Sequence, residues 1–295
     1  MSTPSATNAP LVWVITGTST GLGRHLALAA LSRGDKVIAT TRARSLHKLD
    51  DLKECKGAAE SLYTMELDVT ASLETLKKKA EEAVGVWGRV DVVVNNAGYV
   101  DIGCLEERTP EETLAQYQTN VFGPLNVSRA FLPHMRPRKS GTVVFIGSLS
   151  GWITSPGGAL YASTKHAIRS LSESLNAEIS PLGLRSICFD FGTFKTDILK
   201  AGNRVTYEPR IEDYKPIGTY TEELMIAYEG NQPGDPAKGV QVMIDVVKGE
   251  GVAEGKTPPA VVTLGKDIYL TTEHYCRETL KRIEEWKDVS CTTDF

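Results

Sequence analysis

The sequence predicts a single-domain, doubly wound α/β fold, a seven-stranded parallel sheet with helices on both faces. Short apolar runs alternate with longer amphipathic stretches, and alternating strands and helices form a parallel sheet through right-handed crossovers. The chain has 295 residues, of which 41% are hydrophobic. This length and composition suffice for one buried core and require no second domain.

The predicted strands are short apolar runs that end at turn residues. They are Leu11–Thr16, Lys36–Thr41, Ser61–Asp68, Val90–Asn95, Thr142–Gly147, Arg185–Phe191 and Ala260–Leu264. The stretches between them carry helix start signals. Thr109–Glu112 is a capping box with proline at the first helical position, and Asp235 followed by Pro236 starts another helix in the same way.

The remaining segments complete the predicted domain organisation. Residues 1–10 are predicted to be a flexible tail, and residues 11–295 form the domain. The alternation lapses from 193 to 234, and long segments without periodicity often cover a site, so we expect a substrate-covering segment there. Residues 266–288 predict a C-terminal helix whose apolar side chains pack on the sheet or on another subunit. The residues expected to form an apolar pocket are Tyr99, Trp152, Ile153, Ile198, Leu199, Tyr207 and Tyr214.

A glycine-rich turn follows the first strand and precedes a helix. Its spacing is Gly-x-x-x-Gly-x-Gly, and bare backbone beside a helix N-terminus can hold a pyrophosphate. The alternative is a tight turn without a ligand. The residues expected to contact the phosphates are Gly17, Ser19, Thr20, Gly21, Leu22 and Gly23.

Thr41 and Arg42 stand at the end of the second strand, where an acidic residue would hold the ribose hydroxyls of NAD. A guanidinium group instead favours a 2′-phosphate. The sequence therefore predicts NADP(H) over NAD(H), with an unliganded surface arginine as the alternative.

Tyr161 and Lys165 are four residues apart, so they share one face of a helix. An ammonium group beside a phenol stabilises its ionised form, and such a phenol can exchange a proton with an alcohol or a ketone. Ser148, thirteen residues upstream of Tyr161, could polarise the same oxygen, and Ser150 is a nearby rival. The group suits the proton half of a carbonyl/alcohol redox reaction.

Together these motifs resemble the short-chain dehydrogenase/reductase family, and the resemblance implies a Rossmann fold and further site residues. Asn120, Ser148, Tyr161 and Lys165 match the catalytic tetrad, in which the asparagine holds a proton-relay water. The further positions that match cofactor contacts are Asp68, Val69, Asn95, Ala97, Gly98, Gly192, Phe194 and Thr196. One departure is Phe191 before Gly192, where the family usually has proline, which fixes φ.

The predicted function is an NADP(H)-dependent ketoreductase-type oxidoreductase, with Tyr161 as the general acid/base and a hydrophobic ketone or alcohol as substrate. Two rival functions remain: an NADP(H)-binding sensor or scaffold without turnover, and an epimerase or dehydratase on the same fold. The resemblance also implies a homodimer or homotetramer, whose interface the C-terminal helix could block or replace.

The composition excludes several other classes. The net charge of −4 contains no long block of one sign, so no nucleic-acid or membrane partner is expected. No signal-peptide core or membrane span is present, which favours the cytoplasm. The five cysteines show no Cys-x-x-Cys pair and predict free thiols. The five histidines show no ligand spacing, so no metal is predicted.

Overall fold

The computed structural model describes residues 9–55 and 58–295, so most of the predicted tail lies outside the described residues. The strands are β1 Val12–Ile15, β2 Lys36–Thr41, β3 Leu62–Glu66, β4 Val92–Asn95, β5 Thr142–Ile146, β6 Arg185–Phe191 and β7 Val261–Leu264. They form one sheet in the order β3-β2-β1-β4-β5-β6-β7, and every neighbouring pair is parallel. This confirms the predicted fold class and all seven strands.

The helices are α1 Gly21–Ser32, α2 Ala58–Ser61, α3 Leu73–Trp87, α4 Pro110–Tyr117, α5 Gly123–Met135, α6 Ala159–Ile179, α7 Lys215–Tyr228, α8 Pro236–Lys248, α9 Lys266–Glu285 and α10 Lys287–Ser290. Both predicted helix starts are confirmed. Thr109 and Glu112 form a reciprocal capping box at α4, and the Asp235 carboxylate accepts two backbone N–H bonds at α8.

The core lies in two layers, one on each face of the sheet. Successive strand residues point to opposite faces, so Trp13 and Val14 lie in different layers. Trp13 packs in the layer that contains Leu26 of α1 and Val240 of α8. Val14 packs on the other face with Leu76 of α3, and α5 and α6 extend that layer. After β3 the chain returns to the centre of the sheet, where β4 pairs with β1, and the strand order then runs in the other direction. In α/β sheets, ligands bind in the crevice at such a switch point.

The segment 193–234 is not irregular throughout, because α7 occupies its second half. The sequence prediction is wrong on this point for a physical reason. Gly218 and Thr221 are the only buried residues of α7. The apolar residues Ile217, Tyr220, Leu224 and Tyr228 do have helical spacing, but they follow a stretch rich in Pro, Gly and charged residues and are largely exposed, so the sequence analysis did not separate a helix from the irregular segment.

The predicted C-terminal helix is present as α9 followed by α10, but it does not pack on the sheet along its length. Ile268 in the first turn is its only buried residue, whereas Leu280, Ile283 and Trp286 are each at least 60% exposed. The prediction that these side chains pack on the sheet is therefore wrong beyond the first turn. Their packing on another subunit stays a prediction.

The five cysteines carry free thiols. Among the described residues, no helix combines the length and the apolar character needed to cross a membrane. No cluster of three or more His, Cys, Asp or Glu side chains suited to a metal occurs between residues 9 and 55 or 58 and 295.

Candidate functional site

A cavity of about 1060 Å³ lies at the carboxyl ends of the strands. The turn after β1, the end of β2 and the segments after β4, β5 and β6 all contribute to its lining. The predicted site residues that line it are Gly17, Ser19, Thr20, Gly21, Leu22, Thr41, Arg42, Asp68, Val69, Ala97, Gly98, Ser148, Tyr161, Lys165, Gly192, Phe194 and Thr196. Gly23, Asn95 and Asn120 are predicted site residues that do not line it.

The glycine turn after β1 has a conformation that requires glycine. Gly17 and Gly21 have φ of +71° and +61°, in the left-handed region that side chains with a Cβ rarely adopt. A Cβ on Gly17 would come within 3.0 Å of the Ala97 Cα. A Cβ on Gly23 would lie 2.6 Å from the Gly17 carbonyl oxygen, so Gly23 allows α1 to pack closely against the turn.

Asn96 fastens this turn to the end of β4, and the sequence analysis missed it. Its Nδ2 donates to the carbonyl oxygens of Thr16 at 2.8 Å and Gly17 at 3.0 Å. The Thr16 hydroxyl in turn accepts the backbone N–H groups of Asn96 and Ala97. The run Asn95-Asn96-Ala97-Gly98 contained the signal, but Asn95 lies behind the cavity wall, where it donates to Ser128.

Tyr161 and Lys165 lie in the first two turns of α6 and face the cavity together. The Lys165 Nζ is 5.6 Å from the centroid of the Tyr161 ring. It donates a 2.7 Å hydrogen bond to the Ile146 carbonyl oxygen at the end of β5, which holds the ammonium group in place although the residue is only 8% exposed. The charge is therefore fixed beside the phenol.

Ser148 follows β5 and precedes a short 3₁₀ turn, Leu149–Gly151. Its Oγ accepts the backbone N–H of Ser150 at 3.1 Å, and this leaves its own hydrogen free to be donated. Ser150 also lines the cavity, so it remains the rival donor.

Tyr99 is a second phenol in the cavity. Burial raises its pKa, and the nearby Asp101 carboxylate adds to the effect. Because its ionised form is disfavoured, Tyr99 is poorly suited to exchange a proton at neutral pH.

Asn120 is buried in a one-turn π-helix, Gln118–Phe122, between α4 and α5. Its Oδ1 accepts the Tyr99 N–H, and its Nδ2 donates to the Tyr99 carbonyl oxygen and the Thr164 hydroxyl. The side chain therefore ties α6 to the segment after β4. Its predicted relay role stays a prediction.

Arg42 directly follows β2 and lines the cavity there. Arg44 and Ser45 lie beside it on the cavity wall, and the sequence analysis did not select them. Both arginines are exposed. The structure places no acidic lining residue on the stretch that directly follows β2.

The predicted apolar pocket is correct for four residues and wrong for three. Tyr99, Ile153, Ile198 and Leu199 line the cavity. Trp152, Tyr207 and Tyr214 do not, because each polar tip is bound to a carboxylate elsewhere: Asp190, Glu107 and Glu106 respectively. The cavity is also lined by residues that the sequence analysis did not select, namely Val100, Ile102, Val205, Leu224, Met225, Tyr228 and Gln232.

Phe191, where the family usually has proline, is a packed core residue. Its ring meets the Phe194 ring edge to face, with centroids 4.9 Å apart. A Cβ on Gly239 would come within 3.0 Å of both rings, so this glycine leaves room for them. Gly192 closely contacts Asp267, whose carboxylate accepts the Thr193 N–H at 2.6 Å.

Ion pairs hold the segment 193–234 against the rest of the cavity. Arg210 binds both carboxylate oxygens of Glu112 on α4 at 2.6 and 2.7 Å, and its Nη1 also donates to the Glu107 carbonyl oxygen. This hydrogen bonding lowers the pKa of Glu112 to about 2. Within the segment, the buried Arg204 makes the same two-point contact with Glu222 of α7.

Comparison with known proteins gives concordant results. The family model for short chain dehydrogenases matches residues 11–205. The oxidoreductase BOA17 of Botryotinia fuckeliana is 33% identical over 282 residues, covering 95% of this chain and 97% of that protein. A 3-ketodihydrosphingosine reductase of Bacteroides thetaiotaomicron is 32% identical over 70% of this chain and 72% of its own length.

Among solved structures, a short-chain dehydrogenase from Streptomyces avermitilis superimposes with a TM-score of 0.85 at 33% identity. The match covers 97% of this chain and 99% of that chain, so the likeness extends over the whole domain.

Proposed function

The chain belongs to the short-chain dehydrogenase family of oxidoreductases, and we propose that it interconverts a carbonyl and a secondary alcohol with NADP(H). One observation carries this proposal: a single cavity combines the glycine turn and Arg42 with Ser148, Tyr161 and Lys165. The cavity slightly exceeds the range of about 300–1,000 Å³ of ordinary ligand pockets, as a site for a dinucleotide and a substrate requires.

The glycine turn and Arg42 fit a dinucleotide with a 2′-phosphate. Gly17 and Gly21 leave bare backbone at the N-terminus of α1, where a pyrophosphate is favoured. Arg42 and Arg44 supply positive charge at the end of β2, where NAD-specific sites carry an acidic residue. When bound, the nicotinamide group exchanges a hydride with the carbon of the substrate carbonyl.

The proton half of the reaction falls to side chains of α6 and of the turn that follows β5. In the reduction direction, Tyr161 gives its phenolic proton to the carbonyl oxygen, and the Lys165 charge stabilises the phenolate that remains. Ser148 donates a hydrogen bond to the same oxygen as negative charge develops there. Oxidation runs in reverse, with Tyr161 as the base.

The substrate that we propose is a hydrophobic ketone or secondary alcohol. Away from the glycine turn and Arg42, most side chains that line the cavity are apolar, among them Ile153, Leu199 and Met225. A relative that is 32% identical is named as a reductase of 3-ketodihydrosphingosine, which is in keeping with this class. The proposal places the protein in the cytoplasm, where NADPH is available.

Tyr161→Phe tests the proposed chemistry, because it removes one hydroxyl and keeps the ring. Turnover should fall by about 10²-fold or more, the usual effect of general acid–base catalysis. NADPH binding, measured by fluorescence titration, should be unchanged. Tyr99→Phe removes another cavity phenol and should retain most of the activity.

Near-normal turnover in Tyr161→Phe would contradict the proposal. If the wild-type protein binds NADPH but reduces no carbonyl compound, the sensor hypothesis would replace it.

A further inference from the structure

A buried carboxylate lies beneath the turn that carries Ser148, and the proposed mechanism does not use it. Asp190 of β6 has no exposed surface. Its Oδ2 accepts a hydrogen bond from the indole N–H of Trp152 at 2.8 Å, and its Oδ1 accepts one from the thiol of Cys188 at 3.3 Å. A buried carboxylate is costly unless such hydrogen bonds satisfy it.

The turn above Asp190 is short and depends on its ends. The Gly151 N–H donates to the Ser148 carbonyl oxygen, and the Trp152 N–H donates to the Leu149 carbonyl oxygen. An isolated 3₁₀ turn of this kind has little stability of its own. The orientation of Ser148 therefore depends on what anchors the residues on either side.

Asp190 reaches both sides of this turn. On one side it binds Trp152, the residue that ends the turn. On the other side it lies against Gly147, where a Cβ would be only 1.7 Å from the Asp190 Oδ1. Only glycine fits between this carboxylate and Ser148.

A charged side chain clamps the indole from another direction. The guanidinium carbon of Arg169 on α6 lies 4.0 Å from the centroid of the Trp152 ring. Trp152 is thus held at its edge by Asp190 and on its face by Arg169. Burial raises the pKa of Asp190, and hydrogen bonds from Cys188 and Trp152 oppose that rise.

We propose that Asp190 is a positioning residue for the reaction: by binding Trp152 and packing on Gly147, it fixes the direction in which the Ser148 hydroxyl points. This inference rests on the proposed function, because it assigns Asp190 an effect that passes through Ser148. It also explains why Trp152, expected in the substrate pocket, points into the protein.

A double-mutant cycle tests this inference, since coupled residues show non-additive effects. The variants are Asp190→Ala, Ser148→Ala and the combination, with kcat measured at saturating NADPH and ketone. In the wild-type background Asp190→Ala should lower kcat by about 10-fold or more, because small misplacements of a catalytic group are costly. In the Ser148→Ala background the same change should cost less than about 2-fold, since no serine hydroxyl remains to be positioned.

Two further variants keep the test informative if Asp190→Ala does not fold. Asp190→Asn retains an oxygen acceptor for the indole and should preserve most of kcat. Trp152→Phe removes the indole N–H and should show the same dependence on Ser148 as Asp190→Ala.

Cys188→Ala is the matched control. It lies on the same face of β6, contacts the same carboxylate and also lies beside Gly147, but it makes no hydrogen bond to Trp152. It should leave kcat within about 2-fold, because the Asp190 carboxylate remains beside Gly147 and keeps its hydrogen bond from Trp152. The NADPH dissociation constant should be unchanged in all these variants.

An equal loss of kcat from Asp190→Ala in both backgrounds would overturn the inference and assign Asp190 a general structural role. Failure of the proposed function would look different, because wild-type protein and every variant would then leave NADPH unoxidised. That outcome would remove both proposals together.

Discussion

The two walls of the cavity are built in different ways. The wall at the strand ends depends on backbone conformation in the turn after β1, beside the segments after β4 and β5. The opposite wall, the segment 193–234, is fastened by side chains. Gly17 belongs to the first wall, with its φ of +71°, and Arg210 belongs to the second, with its two-point contact to Glu112.

The difference indicates where specificity can change. A backbone wall is fixed by the fold itself, so its ligand should be common to proteins that share the fold. A wall held by ion pairs can be altered by substitution without changing the sheet. We therefore expect cofactor binding to depend on the strand ends, with Phe194 and Thr196, and substrate selection to depend on the rest of the segment 193–234.

The largest effect should come from Gly17→Ala in the backbone wall. The new Cβ would be strained at this φ and would lie 3.0 Å from the Ala97 Cα. The turn must then shift, and the NADPH dissociation constant should rise by about 10-fold or more, since placement of this backbone decides pyrophosphate binding. Fluorescence titration with NADPH measures it.

Gly34→Ala is the matched control for this change. Gly34 has φ of +81°, but a Cβ there would have no heavy atom within 4 Å. It introduces similar backbone strain away from the cavity, so it should lower thermal stability and leave NADPH affinity unchanged. Equal loss of affinity in the two variants would show that strain alone is responsible.

A smaller effect should come from Arg210→Ala in the other wall. Loss of the contact with Glu112 should loosen the segment 193–234 and raise the KM for an apolar ketone by several-fold. The NADPH dissociation constant should not change. Thermal stability should fall little, because exposed ion pairs contribute only about 0–1 kcal/mol.

Lys215→Ala is the control for Arg210→Ala. Lys215 pairs with Glu212 inside the same segment and does not reach across to α4. Its removal should leave the KM for the ketone unchanged. A rise in the NADPH dissociation constant of Arg210→Ala, with no change in the KM for the ketone, would reverse the assignment of the two walls.

The Arg210–Glu112 pair should persist through the working pH range. The pKa of Glu112 is lowered to about 2 from its ordinary value of 4.5, with hydrogen bonding from Arg210 as the largest cause. A lowered carboxylate pKa contributes stability above pH 4.5 that is lost as the pH falls toward 2. Any change in ketone KM between pH 6 and 8 must therefore have another origin.

The backbone wall could be predicted from the sequence because its physical requirements appear as residue types. Buried strands require apolar runs, and a turn with positive φ requires glycine at Gly17 and Gly21. The four-residue spacing of Tyr161 and Lys165 placed both on one face of α6.

The other wall could not be predicted in the same way. Its contacts join residues far apart in sequence, such as Tyr207 with Glu107, and no local pattern specifies them. The helix α7 buries only Gly218 and Thr221, and its apolar residues Ile217, Tyr220 and Leu224 are largely exposed, so its apolar repeat did not indicate which face packs on the protein. The prediction for α9 is wrong in a different way. Its apolar residues led us to expect burial, but in the single chain most of them are exposed.

The measurement that tests the central claim most directly is the rate of NADPH oxidation at 340 nm by the purified protein against a panel of apolar ketones, with NADH in parallel. Arg42→Ala is assayed beside the wild-type protein. We predict turnover with at least one ketone, a clear preference for NADPH, and loss of that preference in Arg42→Ala because its guanidinium group no longer binds the 2′-phosphate. No turnover across the panel, despite measurable NADPH binding, would contradict the account.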